Sequence, residues 1–286
     1  VEWLRLARPR QWTKNLLLFA ALLFSGRFRE LGATIQAVAG FVVFTLLAAS
    51  VYAFNDLRDA AEDRLHVVKK HRPVASGRVK PGEAACLALF WGAAGLGLSL
   101  GLGLRFAALA LGYLVLSMLY SQWTKHQVIL DVLSLAAGFV LRAAAGAVAV
   151  DVRISEWLLV CTTLLALFLG LAKRRAELTQ VGEGRSRRRI LEHYSLGLLD
   201  QMIAVVASAT VVAYMLYAVS DRNAIHGPWM MLTVPFVLYG IFRYLYLAHQ
   251  KGEGAAPEQV LLGDRPLQMA VALWIATSIA ILAFVP

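Results

Sequence analysis

Three aspartates, Asp56, Asp59 and Asp63, stand where a long apolar segment ends, in the run Asn55-Asp56-Leu57-Arg58-Asp59-Ala60-Ala61-Glu62-Asp63. The spacing i, i+3, i+7 puts the three carboxylates on one face of a helix, with the Asn55 amide beside them. If the preceding helix runs on through the motif, the carboxylates occupy its last turns, where the macrodipole disfavours negative charge and they repel one another. A cation must compensate. Mg2+ is the economical choice, because it takes one or two carboxylates and completes its shell with water and substrate phosphate oxygens. The motif thus predicts a metal site built from Asn55, Asp56, Asp59 and Asp63. A solvated helix end that is merely acidic is the plainer alternative, and spacing alone leaves it open.

A basic cluster follows at once, His66-Val67-Val68-Lys69-Lys70-His71-Arg72-Pro73-Val74-Ala75-Ser76-Gly77. Beside a bound metal, Lys69 and Arg72 would neutralise the phosphate oxygens that the metal leaves over, so the combined stretch suits a metal diphosphate. Charges that merely orient a membrane protein are an equal reading for these two, and the preferred one for Lys70, Arg78 and Lys80.

The elements that carry these groups belong to a membrane. The chain has 286 residues, 59% of them hydrophobic and 16% charged, with mean hydropathy +0.63, outside the range of soluble domains. Apolar runs of bilayer-crossing length recur at 15–26, 32–54, 84–101, 104–121, 128–150, 155–172, 198–219, 228–247 and 267–285, which predicts an all-α integral membrane protein of about nine helices. The runs are continuous and lack the alternation of a strand barrel. With the N-terminus inside, 22 of the 28 Lys and Arg fall on inner segments, five on outer loops, and Arg142 within a span. That asymmetry places the N-terminus in the cytoplasm and the C-terminus outside. Residues 1–286 read as a single domain in the cell membrane, whose two long polar inner loops, 55–83 and 173–197, cap a site facing the cytoplasm. Pro81 suits the first turn of the helix after the first loop, and Ser195 suits the N-cap of the helix after the second.

The net charge of +10 follows from orientation and anionic lipid and needs no nucleic acid. The bilayer itself is the expected partner, and a homo-oligomer is compatible with the chain. Cys86 and Cys161 are expected to be small core residues, and no CxxC or HExxH spacing marks a metal site. Residues 1–20 lack the pattern of a cleavable signal. Gly95, Gly97, Gly101 and Gly103, with Ala143 and Ala147, read as close-packing positions between helices. In the fifth span Asp131, Ser134, Gly138 and Arg142 form a polar stripe. An intramembrane arginine is a functional candidate, yet Asp131 and Arg142 lie about 16 Å apart along the axis, too far to pair. Each needs another partner; for Arg142 that is an acceptor phosphate or the carbonyls of another helix.

The run NDLRDAAEDRLHVVKKHRPVASG, residues 55–77, resembles the first signature of the UbiA superfamily of intramembrane prenyltransferases, NDxxDxxxD followed by HPxKxxRPxASG. Order, spacing and position after the second span agree, with Val67 standing where proline is usual. The resemblance implies nine helices around a central cavity, with cytoplasmic caps that bind Mg2+ and a diphosphate. Where an aromatic prenyltransferase of that superfamily has a second DxxxD motif, this chain reads Lys173-Arg174-Arg175-Ala176-Glu177-Leu178, with Glu177 at i+4 from Lys173, and then a basic run, Tyr194 and Asp200. Cations there suit a substrate richer in phosphate than a prenyl diphosphate. Together with RPRQWTKN at 8–15, YSQWTK at 120–125 and DVLSLAAGFVLRAAAGA at 131–147, this is similar to the superfamily's decaprenyl-phosphate phosphoribosyltransferase branch.

That branch implies transfer of 5-phosphoribosyl from phosphoribosyl diphosphate to a polyprenyl phosphate, with release of diphosphate, for cell-wall arabinan precursors. It assigns Asp56, Asp59 and Asp63 to Mg2+ and catalysis. Lys14, Lys69, Arg72, Lys125, Lys173 and Arg174 are assigned to phosphates, and Tyr120 and Tyr194 to hydrogen bonds with them. Asp131, Arg142, Glu177 and Asp200 complete the candidate substrate site. The rival readings are a conventional prenyltransferase acting on an aromatic or other small acceptor, and a lipid transporter.

Overall fold

The computed structural model describes residues 2–65, 69–179, 189–220, 227–251 and 257–284, where every regular element is a helix. Val67 and the basic residues Arg185, Arg187 and Arg188 lie outside the described residues. In chain order, α1 (Glu2–Leu6) leads through a 3-10 segment, Pro9–Leu18, into α2 (Phe19–Phe24). Next come α3 (Leu31–Arg58), α4 (Ala60–Leu65), α5 (Pro81–Leu100), α6 (Leu104–Gln122), α7 (Leu130–Ala149) and α8 (Glu156–Thr179). The remainder is α9 (Leu196–Ala218), α10 (Gly227–Met230), α11 (Val234–Gln250), α12 (Pro257–Gly263) and α13 (Arg265–Phe284).

Among the described residues eight helices are long and apolar enough to cross a bilayer: α3, α5 to α9, α11 with the turn before it, and α13. The first of the nine expected spans is different. Its ten residues from Pro9 wind as 3-10 helix before six α-helical ones, because its polar and backbone atoms are claimed by neighbours. Asn15, 1% exposed, donates to Thr45 Oγ1 at 3.1 Å and accepts from Arg142 Nε at 2.8 Å. Leu18 presses its backbone against α7, where a side chain at Gly146 would lie 2.2 Å from the Leu18 carbonyl oxygen. At about 2.0 Å and about 1.5 Å rise per residue the two pieces total about 29 Å, so the segment has the reach of a span without its regularity.

α3 and α7 are the inner helices: 56% of each apolar window is buried, against 17–33% for the others. Small residues permit this, since helices in lipid associate through close packing. Residues 143–147 of α7 are buried Ala and Gly throughout, and α5 lies along α3 with Ser50 donating to the Ala88 carbonyl at 2.7 Å. Gly95 packs as expected, its missing Cβ leaving room for Leu47. Gly97 faces open space, while Gly101 and Gly103 form the α5–α6 turn, Gly103 with φ +97°. Cys86 is exposed on α5 instead of lying in a core. In the other half α8 packs between α7 and α9, and Phe168 meets Tyr244 of α11 edge-on at 5.5 Å.

Helix ends decide where the site residues sit. α3 runs to Arg58, so Asn55 and Asp56 belong to its last turn and not to a loop. The backbone breaks at Asp59 and restarts in α4, so the three aspartates do not share one unbroken helix as expected; the Asp63 N–H to Asp59 carbonyl bond of 2.9 Å bridges the break. α8 runs to Thr179, which makes Lys173, Arg174, Arg175 and Glu177 helical as well. α5 starts at Pro81, and the Ser195 hydroxyl caps α9 by accepting from Leu198 N at 3.2 Å.

Candidate active site

Asp56 is 1% exposed. Its Oδ1 accepts from Arg8 Nη2, with Arg72 Nη1 3.5 Å away, while its Oδ2 is buried and meets no donor. The adjacent Asn55 Oδ1 is also buried without a donor. Asp63, equally enclosed in α4, accepts from Arg72 Nη1 at 2.6 Å. Asp59, half-buried at the break, takes Arg58 Nη2 at 2.9 Å and has Lys125 Nζ at 3.9 Å. Part of the compensating charge expected from a metal is therefore supplied by arginines.

The RPVASG stretch places Arg72. Pro73, Val74 and Ala75 are buried, with Val74 and Val79 against Leu6 of α1, Ala53 of α3 and Ala84 of α5. The Ser76 hydroxyl donates to the Arg72 carbonyl at 2.7 Å, and Gly77 takes the left-handed conformation, φ +76°, that closes the turn.

Among the described residues no three His, Cys, Asp or Glu side chains converge into a ready-made metal cage. The structure instead offers two buried oxygen acceptors without donors, each costing about 1–3 kcal/mol while unsatisfied. Oxygen acceptors of this kind are what a hard cation would take as ligands. Few ligands, all oxygen, fit Mg2+ that retains water and phosphate ligands, and do not fit zinc, which takes His or Cys.

A second cluster is built around Arg174, 1% exposed. Its Nε donates to Asp131 Oδ2 at 2.6 Å, Nη1 to Glu177 at 2.6 Å and Nη2 to the Tyr120 hydroxyl at 3.3 Å. Tyr194 completes it, donating to Asp131 Oδ1 at 3.1 Å and accepting from Ile129 N at 2.8 Å. Ile129 is strained: at φ 69° and ψ −45° it centres a γ-turn closed by Leu130 N to the Val128 carbonyl, 2.8 Å. A branched residue there costs on the order of 1–3 kcal/mol, and the Tyr194 hydroxyl helps to hold it where α7 begins. The end of α6 and the turn after it border both clusters, since Tyr120 reaches Arg174 and Lys125 reaches Asp59.

Burial, opposed in part by the Ile129 N–H, pushes Tyr194 up to about 12 from its ordinary 10.0. Because the folded state favours the neutral phenol, its contribution is intact below pH 10 and is lost as pH rises through about 12. Tyr194→Phe is expected to be less stable than the wild type at pH 8 and to lose less additional stability up to pH 12. Thermal unfolding of both proteins in detergent across that range checks it; parallel curves would remove the assignment.

The model of the UbiA prenyltransferase family matches residues 16–262. The chain belongs to the UbiA prenyltransferase family. Among its relatives, the decaprenyl-phosphate phosphoribosyltransferase of Mycolicibacterium smegmatis is 37% identical, over 96% of this chain and 90% of that protein. The protein of the same name from Mycobacterium tuberculosis H37Rv is 34% identical, over 97% and 93%. A UbiA homologue from Archaeoglobus fulgidus, solved with GPP and Mg2+ bound, superposes with a TM-score of 0.72 across 99% of this chain and all of the other, at 20% identity, which speaks to fold.

Within this UbiA fold the candidate residues fall into groups. Asp56, Asp59, Asp63, Arg72 and Lys125 gather around the acidic motif. Asp131, Tyr120, Arg174, Glu177 and Tyr194 form the second cluster, where Arg174 is paired with two carboxylates and ties α7 and the end of α6 to α8. Arg142 is held by Asn15, Tyr113 and the Gly138 carbonyl of its own helix, and its guanidinium lies 4.6 Å from the Tyr113 ring centre. Asp200 stands apart, bound to Arg175 at 2.5 Å and His249 at 3.2 Å, and Lys14, Lys69 and Lys173 each have partners of their own. Sequence reasoning passed over Arg8, although it opens the RPRQWTKN stretch, and also Asn15 and Tyr113, whose partners lie far along the chain.

Proposed function

We propose that this UbiA family member is a Mg2+-dependent transferase that moves 5-phosphoribosyl from phosphoribosyl diphosphate to a polyprenyl phosphate. The reading rests on likeness across 94–97% of the chain to relatives named decaprenyl-phosphate phosphoribosyltransferase. The sequence at the end of α8 supports it, since Lys173-Arg174-Arg175 stands where a second acidic motif would serve a prenyl diphosphate, with Lys173 as the residue proposed to meet phosphate. The protein acts as one domain at the cytoplasmic face of the cell membrane, N-terminus inside, and its lipid product feeds cell-wall arabinan synthesis.

In this reaction the bond between the anomeric carbon and a diphosphate oxygen breaks, the diphosphate leaves with the electron pair, and an oxygen of the lipid phosphate bonds to that carbon. Asp56 and Asn55, with Asp59 and Asp63 beside them, would hold Mg2+, which neutralises charge on the departing diphosphate. Arg72, Lys69 and Lys125 meet phosphate oxygens around the motif, and Lys14 and Lys173 serve the second phosphate group. The lipid phosphate is ionised at neutral pH, so no strong base is required; positioning and charge neutralisation do the work. Arg174 keeps Asp131, Glu177 and Tyr120 in place at the edge of the site.

Purified protein in nanodiscs, given Mg2+, labelled phosphoribosyl diphosphate and decaprenyl phosphate, is expected to make labelled lipid and release diphosphate, and to stop when EDTA is added. Turnover of a prenyl diphosphate with an aromatic acid and no labelled lipid would replace the reading with conventional prenyl transfer. Lipid movement without bond formation would make the protein a transporter.

A further inference from the structure

A carboxylate presents to a metal whichever oxygen its other contacts leave over. At Asp56 that choice is made by Arg8, which takes Oδ1 while Oδ2 stays buried and without a donor, as does the neighbouring Asn55 Oδ1. We propose that Arg8 is a positioning residue for the metal-binding carboxylate, holding Asp56 so that Oδ2 faces the ligand; this rests on the metal diphosphate reading of the site.

Arg8 is itself held from several sides. Its guanidinium lies 4.9 Å from the centre of the Tyr52 ring, and Tyr52 and Asp56 are i and i+4 on α3, so ring and carboxylate form two walls of one slot. The backbone is left-handed at Arg8, φ 52° and ψ 67°, an uncommon state for a residue with a side chain, which persists only when its surroundings impose it. Here they do: Pro9 follows, Gln11 N bonds the Arg8 carbonyl at 2.9 Å, and Trp12 Nε1 bonds the Ala7 carbonyl at 3.0 Å. Leu6 is buried in the same core as Val74 and Val79, so one patch anchors the segments that carry Arg8 and Arg72. Arg72 does not duplicate the role, since its short bond goes to Asp63. Outer-sphere partners that orient a metal ligand typically contribute 10–100-fold in affinity.

Charge and orientation make opposite predictions. Removing a cation beside a metal site should tighten metal binding if only charge matters, and should weaken it if Arg8 sets the carboxylate's orientation. Mn2+ is titrated into the full chain in nanodiscs of zwitterionic lipid, and the free-ion EPR signal is followed. Arg8→Gln and Arg8→Lys are both expected to weaken Mn2+ binding by about tenfold or more, and Arg8→Gln is expected to add nothing in an Asp56→Asn background. In turnover the Mg2+ concentration for half-maximal rate should rise by a similar factor, while KM for the polyprenyl phosphate stays within about twofold. Equal or tighter Mn2+ binding by Arg8→Gln, or wild-type binding by Arg8→Lys, overturns the proposal and leaves the metal reading standing. Wild-type Mn2+ binding by Asp56→Asn overturns the metal reading itself. Should Arg8→Gln fail to fold, Tyr52→Leu loosens the slot and keeps every charge; its Mn2+ binding should weaken measurably, and unchanged binding overturns the proposal.

Discussion

Asp56→Asn is expected to lower kcat for phosphoribosyl transfer by about two to three orders of magnitude, or about 3–4 kcal/mol of transition-state stabilisation. The amide has the shape of the carboxylate, so the helix end should survive. What changes is the charge balance. Arg8 and Arg72 both lean on Asp56 Oδ1, and once it is neutral the pocket keeps two guanidinium groups with only Asp63 directly opposing them. A divalent cation would then enter against a net positive field. Asp63→Asn should cost a comparable amount, because Arg72, now 2.6 Å from Asp63, would lose that anchor. Initial rates of labelled lipid formation at saturating donor and acceptor, repeated across a Mg2+ titration, give the measurement. A loss below tenfold in Asp56→Asn would mean that this carboxylate does not serve the departing diphosphate.

The second large effect is on stability. Arg174→Met should destabilise the protein by about 3–5 kcal/mol, because removal of one partner of a buried ion pair strands the other. Asp131 is wholly buried and would keep only the Tyr194 hydroxyl. The double variant Arg174→Met with Asp131→Leu should recover a substantial part of the loss, since two apolar groups replace a stranded charge. Denaturant unfolding in detergent micelles of the single and double variants supplies the comparison. Equal instability of the two would mean that Arg174 matters through its bonds to Glu177 and Tyr120 instead.

Much of this arrangement could be read before any coordinates. Apolar run length located the eight long helices, because a bilayer demands continuous hydrophobicity whatever the packing. Carboxylate spacing singled out the three aspartates, but the reading assumed an unbroken helix; the break at Asp59 depends on how α4 and the Arg72 loop pack, which spacing does not encode. The same limit explains Arg8. Its charge was legible, while its position over Asp56 and Tyr52 follows from a left-handed turn before a proline. Arg142 was legible as an intramembrane charge requiring a partner, yet that partner, Asn15, lies 127 residues away. The partners of Arg174 were hidden for a related reason: among several basic residues at the carboxy-terminal end of α8, only packing shows which one is turned onto Asp131.

The irregular first segment also constrains how the chain is made. Asn15 and Leu18 are completed by Arg142 and Gly146 of α7, so during synthesis the amino-terminal segment enters the membrane long before its partners leave the ribosome. Until α7 arrives, its buried amide lacks the guanidinium that later satisfies it, in a solvent that supplies no substitute. The beginning of the chain is thus among the late parts of the first half to settle. Arg8, by contrast, meets Asp56 and Tyr52 of α3, so one short segment draws on two partners made at different times: α3 for its arginine and α7 for its amide.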